Sequence, residues 1–226
     1  MTSIYEQALG SDFAKLHPMT QWRFGLASDQ HRCQIGRGVM EEVWRGRSWV
    51  VPFLSIGASR RIMFPDRGRD IPFTVRNYAY RDSFGRETVT WARRFELPGK
   101  RRAFDATMVY SPARGVVVDY LGTHQHLAVD VHLSVGEKGE LRLRSGDQRF
   151  YEGFLGFRFP LALSGVAEVS ERWDEEAECF RIDVAVRNRR FGPLFGYRGS
   201  FAVDECPCAP EEIPIDVRPL REERRE

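Results

Sequence analysis

The feature that most constrains this chain is a period of two. From about residue 31 to residue 203, apolar side chains recur at alternate positions, and clusters of turn-forming residues interrupt them roughly every ten residues. Alternation of this kind makes one face of an extended segment apolar and the other polar, the pattern of consecutive antiparallel strands buried on one side. Ile71, Phe73, Val75 and Ala79 share one face, and beyond the turn 81–85 Val89, Trp91 and Phe95 do the same. The segment 97–100 turns the chain again, and Phe104, Ala106, Met108 and Tyr110 line the next strand. Three further strands follow at 116–121, at Leu127, Val129, Val131, Leu133 and Val135, and at Leu141 and Leu143. A hairpin around 174–177 and a last alternating run, Phe195 to Val203, complete the series. Residues 150–163 break the rule. Their aromatics, with Gly153, Gly156 and Pro160, predict a bent strand or a loop over the core.

About ten strands with no strand–helix–strand repeat imply a mainly β chain, an antiparallel barrel or strongly curved sheet. A barrel of about eight strands is filled by its own side chains or holds one small ligand, and more strands leave more room. Short helices are expected at the amino terminus. Ser3 with Glu6 fits a capping box, Gly10 a helix end, and Pro18 opens a turn that carries Trp22 and Phe24. These pieces would partly close one barrel end. Residues 1–204 thus form one β-rich domain, and the Pro-rich, charged tail 205–226, which lacks periodicity, is expected to be flexible.

Composition narrows the function. The 34 basic and 32 acidic groups nearly cancel, with 18 against 11 in residues 1–110 and 16 against 21 in 111–226. If early and late strands meet in a closed sheet, those charges oppose one another on a solvated exterior, so a nucleic-acid partner is not expected. The amino terminus has no basic segment followed by an apolar one, and the most apolar run, 49–58, is broken by Pro52 and Gly57. With Cys33, Cys179, Cys206 and Cys208 scattered or closely paired at the tail, reduced thiols and a cytoplasmic location are expected.

The most chemical-looking segment is 122–132, where His124, His126, Asp130 and His132 alternate opposite Leu127, Val129 and Val131. Two imidazoles in a His-x-His pair can approach one metal, but His132 lies about 20 Å from His126 on an extended strand, so no metal or other cofactor is expected. Arg93, Arg94, Lys100, Arg101 and Arg102 surround a tight turn and form a basic patch suited to an anionic surface. Phosphate loops, dinucleotide fingerprints and serine-nucleophile elbows are absent from the sequence.

Several stretches resemble a known family. Gly38–Glu42, Arg61–Pro65, Ile71–Val75, Phe84–Trp91 with Arg94 and Phe95, Asp119–Leu127, Phe150–Phe154 and Phe195–Gly199, in that order, are similar to the bacterial domain-of-unknown-function family 4166, over about residues 4–203. The resemblance implies no reaction and no catalytic residue. Members of that family occur alone, or joined to membrane segments or to saccharopine-dehydrogenase-like modules, which accords with a lipid-like ligand or a substrate-holding role.

The leading expectation is a binding module for a small apolar or amphipathic, lipid-like molecule in an aromatic-lined barrel cavity. Trp91, Phe95, Phe154, Phe157 and Tyr197 would supply contact area, and His124, His126, Glu152 and Arg198 would orient polar groups. Two alternatives use the same residues differently. In one, His124 or His126 with Glu152 acts as an acid–base pair of an enzyme. In the other, the basic hairpin end binds an anionic membrane surface or a protein.

Overall fold

A computed structural model describes residues 2–159 and 164–226. Eleven described strands form a single antiparallel sheet: β1 (Arg32–Arg45), β2 (Gly68–Arg81), β3 (Glu87–Leu97), β4 (Lys100–Ser111), β5 (Val116–Leu121), β6 (Leu127–Val135), β7 (Leu141–Glu152), β8 (Leu155–Phe159), β9 (Val166–Asp174), β10 (Cys179–Asn188) and β11 (Gly192–Pro207). Neighbours run β6-β5-β4-β3-β2-β1-β11-β10-β9-β7, and β6 also pairs with β7, so ten strands close into a barrel. β8 is the extra strand. It pairs with the distal half of β7, on the side where β9 pairs with the proximal half. The aromatic stretch after residue 150 is therefore a hairpin, because Gly153, at φ 55°, reverses the chain after Glu152. Residues 160–163 of that stretch, Pro160 included, lie outside the described residues.

The chain closes both barrel ends with its own segments. At the end formed by the β2–β3, β4–β5, β6–β7 and β9–β10 turns sit α1 (Ile4–Leu9) and α2 (Pro18–Phe24). Ser3 caps α1 by accepting from the Glu6 amide, and Gly10 ends it at φ 55°, as the sequence pattern predicts. Ile4, Tyr5, Leu16, Phe24 and Leu26 are buried in the barrel core, so this segment is a plug. At the other end, between β1 and β2, lies α3 (Val51–Ser59), which was not read from the sequence because its apolar residues have no polar face to set a period. Leu54 of α3 is fully buried, while Phe53 and Ile56 remain exposed.

The interior is filled unevenly. Along β2, β3 and β11, with Phe64 from the segment after α3, aromatic rings pack against one another: Phe95 lies 5.0 Å from Phe64 and 5.1 Å from both Phe73 and Tyr197, centroid to centroid. Along β6, β7, β9 and β10 the inward positions carry Val129, Val131, Ser145, Ala167, Val169, Val184 and Val186. These smaller side chains leave space.

β11 continues to Pro207, paired with Arg32, so the last strand outruns the boundary at 204. The tail beyond it, expected from composition alone to be flexible, is placed along the outer wall. Ile213 and Val217 are buried against Cys33, Tyr78, Tyr80 and Ala92, and Arg225 covers the Tyr151 ring at 4.5 Å. None of the helices among the described residues is long and apolar enough to cross a membrane.

Candidate functional site

Two hollows adjoin at the α3 end. The inner one, about 140 Å³, lies inside the barrel and is bounded chiefly by aliphatic side chains, with Phe53, Trp91 and Phe104 as its aromatic members. The outer one, about 390 Å³, forms a vestibule under α3 and is lined by His124, His126, Phe150, Glu152 and Phe159. Phe53, Met63, Leu121 and Leu127 belong to both walls.

The vestibule brings together three of the predicted polar residues. His126 Nδ1 lies 2.8 Å from Glu152 Oε2, and the two imidazoles stand edge to face with centroids 5.4 Å apart. Burial is the largest influence on His126 and lowers its pKa, outweighing Glu152, while Arg221, Arg60 and His124 lower it further. At neutral pH the ring is therefore neutral and able to accept a proton. His124 Nδ1 lies 2.9 Å from Thr123 Oγ1.

These histidines sit in the β5–β6 connection, and its shape is tightly set. Gly122 adopts φ +79°, and a Cβ there would lie 2.4 Å from the Arg60 carbonyl oxygen, so the loop approaches the end of α3 more closely than a side chain permits. The tail fastens the loop from outside: the Leu220 amide donates to the Thr123 carbonyl at 2.7 Å, and Arg221 donates to the His124 carbonyl at 3.2 Å. Asp130 and His132 behave differently from their neighbours in sequence. Both lie on the outer face, where Asp130 is clamped by Arg114 and Arg149, and no group of three metal-ligating side chains is close enough to hold an ion among the described residues.

The other predicted residues are dispersed. Trp91 lines the inner cavity, Phe95 and Tyr197 belong to the packed aromatic flank, and Phe157 packs at a tilt against Phe150, 5.3 Å between centroids, while half-exposed. Phe154 stands at the β7–β8 turn, 94% exposed. Arg198, next to inward-facing Tyr197, points outward and pairs with Glu42 at 3.0 Å.

The inner cavity also holds two charged side chains, Arg93 and Asp119, that no motif in the sequence marks as a site. Arg93 belongs to the apolar face of Val89, Trp91 and Phe95, so it enters the barrel instead of joining the basic patch. Its Nε donates to the Phe104 carbonyl at 3.0 Å, one terminal nitrogen donates to the Tyr197 hydroxyl at 3.1 Å, and its guanidinium lies 3.9 Å from the Phe104 ring centroid. Asp119 lines the same cavity from β5. Its carboxyl makes no hydrogen bond, and burial pushes its pKa up to about 7 against the pull of Arg93. Of the remaining patch, Arg94 pairs with Asp105, Arg101 with Glu96, and Lys100 and Arg102 both with Asp66.

Residues 16–201, which include both hollows' strands and α3, match the family described as Domain of unknown function (DUF4166). The chain belongs to that family. It is also 35% identical over 207 residues to the Uncharacterized protein YndH of Bacillus subtilis (strain 168), an alignment spanning 91% of this chain and 98% of that protein. No solved structure matches the chain. The tail that holds the histidine loop lies beyond the matched family span.

Proposed function

We propose that this DUF4166 chain is a binding module that takes a small apolar or amphipathic, lipid-like molecule through the α3 vestibule into the barrel. The inner cavity carries the reading. At about 140 Å³ it is similar in size to an engineered apolar cavity of about 150 Å³ that takes up benzene, so it accommodates one ring or a short chain segment, with the rest of the molecule in the vestibule. Exposed Phe53 and Ile56 on α3 offer an apolar entry. Native mass spectrometry and organic extraction of the purified chain test this: a co-purifying apolar species, or uptake of added toluene, is expected. Failure of both would end the reading.

A second reading rests on the contact between His126 and Glu152, since a neutral imidazole held by a carboxylate in a concave pocket is the arrangement of a general base. It predicts that the wild-type chain alters its bound molecule, and that Glu152→Gln and His126→Gln retain that molecule unaltered, as read by mass spectrometry. An anionic membrane surface as partner has less in its favour, because Arg94, Lys100, Arg101 and Arg102 each meet a carboxylate. Flotation with anionic liposomes, repeated after charge reversal at Arg101 and Arg102, distinguishes it.

A further inference from the structure

The chemistry of the occupant is indicated by the bottom of the cavity. Asp119 presents a carboxyl to a space lined mainly by apolar side chains, with Arg93, Ser145, Gln148 and Ser164 as its other polar members, and neither of its oxygens has a hydrogen-bond partner. A buried polar group without a partner costs far more than one that is satisfied, so a molecule that brings a donor to this point is favoured over one that does not. Arg93 lines the same space, where its Nε donates to the Phe104 carbonyl and one of its two terminal nitrogens to the Tyr197 hydroxyl. With a guanidinium beside it, the carboxyl is a poor place for a second cation. A ligand carboxylate would in turn meet the carboxyl of Asp119. A neutral group that both donates and accepts meets neither objection.

We propose that the inner cavity is an alcohol site, in which Asp119 takes the hydroxyl of an otherwise apolar molecule whose carbon skeleton lies against Trp91, Met108, Val131 and Val184. The proposal rests on the binding reading above and specifies its ligand class. A hydroxyl there fills the role that water plays at polar points of cavities, while the rest of the molecule buries apolar surface.

Phenol and toluene test it, because they have nearly the same shape and differ in one hydroxyl, with benzoate and benzylammonium as charged comparators. Calorimetric titration of the full chain is expected to rank phenol above both ions. Asp119→Leu should weaken phenol about tenfold or more and change toluene less than about threefold, the coupling that isolates one contact. Asp119→Asn, which keeps an acceptor, should hold phenol within about threefold of wild type. Independently of any variant, the side-chain carboxyl carbon resonance of Asp119 should shift on adding phenol and not on adding toluene. Equal losses of phenol and toluene in Asp119→Leu, tighter binding of either ion, or a carboxyl resonance that phenol leaves unmoved would overturn the alcohol site and leave the binding reading standing. If none of the four probes binds, the binding reading falls and the alcohol site with it.

Discussion

Arg23 Nε donates to Glu171 Oε1 at 3.0 Å, and the two side chains are 2% and 0% exposed. The pair joins the amino-terminal plug to β9 inside the barrel, so the plug is anchored by charge as well as by apolar packing. Arg23 also donates to Gln34 and Asn77, at 2.8 and 2.7 Å, and lies 5.5 Å from the Trp91 ring. Burial raises the Glu171 pKa, and Arg23 counters it. Removing one member leaves the other uncompensated in the core.

Arg23→Met is therefore expected to destabilise the fold by about 3–5 kcal/mol. Arg23→Met with Glu171→Leu should recover most of that loss, because the stranded carboxylate goes with its partner. Denaturant unfolding of both variants checks this. A double variant as unstable as the single one would mean that the hydrogen bonds to Gln34 and Asn77, not the charge pair, hold the plug.

The tail makes a separate prediction. Gln125, at φ 51° between the two histidines, accepts through Oε1 from the Glu223 amide at 2.6 Å, and Glu223 is held by Arg221 and Arg225 with its own pKa pushed down to about 2. Deleting residues 219–226 removes both this hold and the positive charge of Arg221. The His126 pKa should then rise toward its ordinary value, because a group that lowers it is gone. Titration of the His126 ring protons by NMR measures the change, and an unmoved titration would separate the tail from the vestibule.

Much of this architecture is legible from parity alone. Wherever apolar residues alternate between 71 and 135, the strands, turns and inward faces follow directly, since a period of two assigns every side chain to one face or the other. The same rule contained the two charged side chains of the inner cavity: Arg93 shares parity with Trp91 and Phe95, and Asp119 with Val117 and Leu121. Grouping Arg93 by charge with Arg94 obscured this, because neighbouring residues on a strand point to opposite sides. The contact of His126 with Glu152 is legible as residue types and not as a place, for it depends on the β7–β8 reversal and on a loop that departs from strand geometry at Gly122 and Gln125. The tail's packing leaves no periodic trace, because it uses isolated side chains, Ile213, Val217 and Arg225, on an irregular path.

Asp119 should make stability depend on pH in an unusual direction. Its pKa is raised in the folded state, from 3.8 to about 7, so the folded chain binds this proton more tightly than the unfolded one does. The resulting advantage is fully present below about pH 4, is lost as pH rises toward 7, and is gone above it, a change of about 4 kcal/mol across the window. Carboxylates with lowered values, such as Asp66 and Asp130, act in the opposite sense at lower pH. Comparison with Asp119→Asn cancels them. The stability of wild type relative to this variant should fall between pH 4 and pH 7 and stay level above that, as read by urea unfolding at each pH. A constant difference would place the Asp119 carboxyl in contact with solvent.

The uneven filling of the barrel leads to a last prediction, about where any ligand resides. Val184 on β10 faces the inner cavity and takes no part in the vestibule wall. Val184→Phe puts a ring into existing space, so the strain that usually follows overpacking should be small, and stability should stay within about 1.5 kcal/mol of wild type. Occupancy should respond much more strongly. Toluene or phenol binding is expected to weaken at least about tenfold, because the added ring takes volume the probe needs. The His126 ring titration should be unchanged, since the vestibule is not touched. Retained binding in a stable Val184→Phe chain would move the ligand out of the barrel and into the vestibule beside His126 and Glu152, the location that the acid–base reading requires.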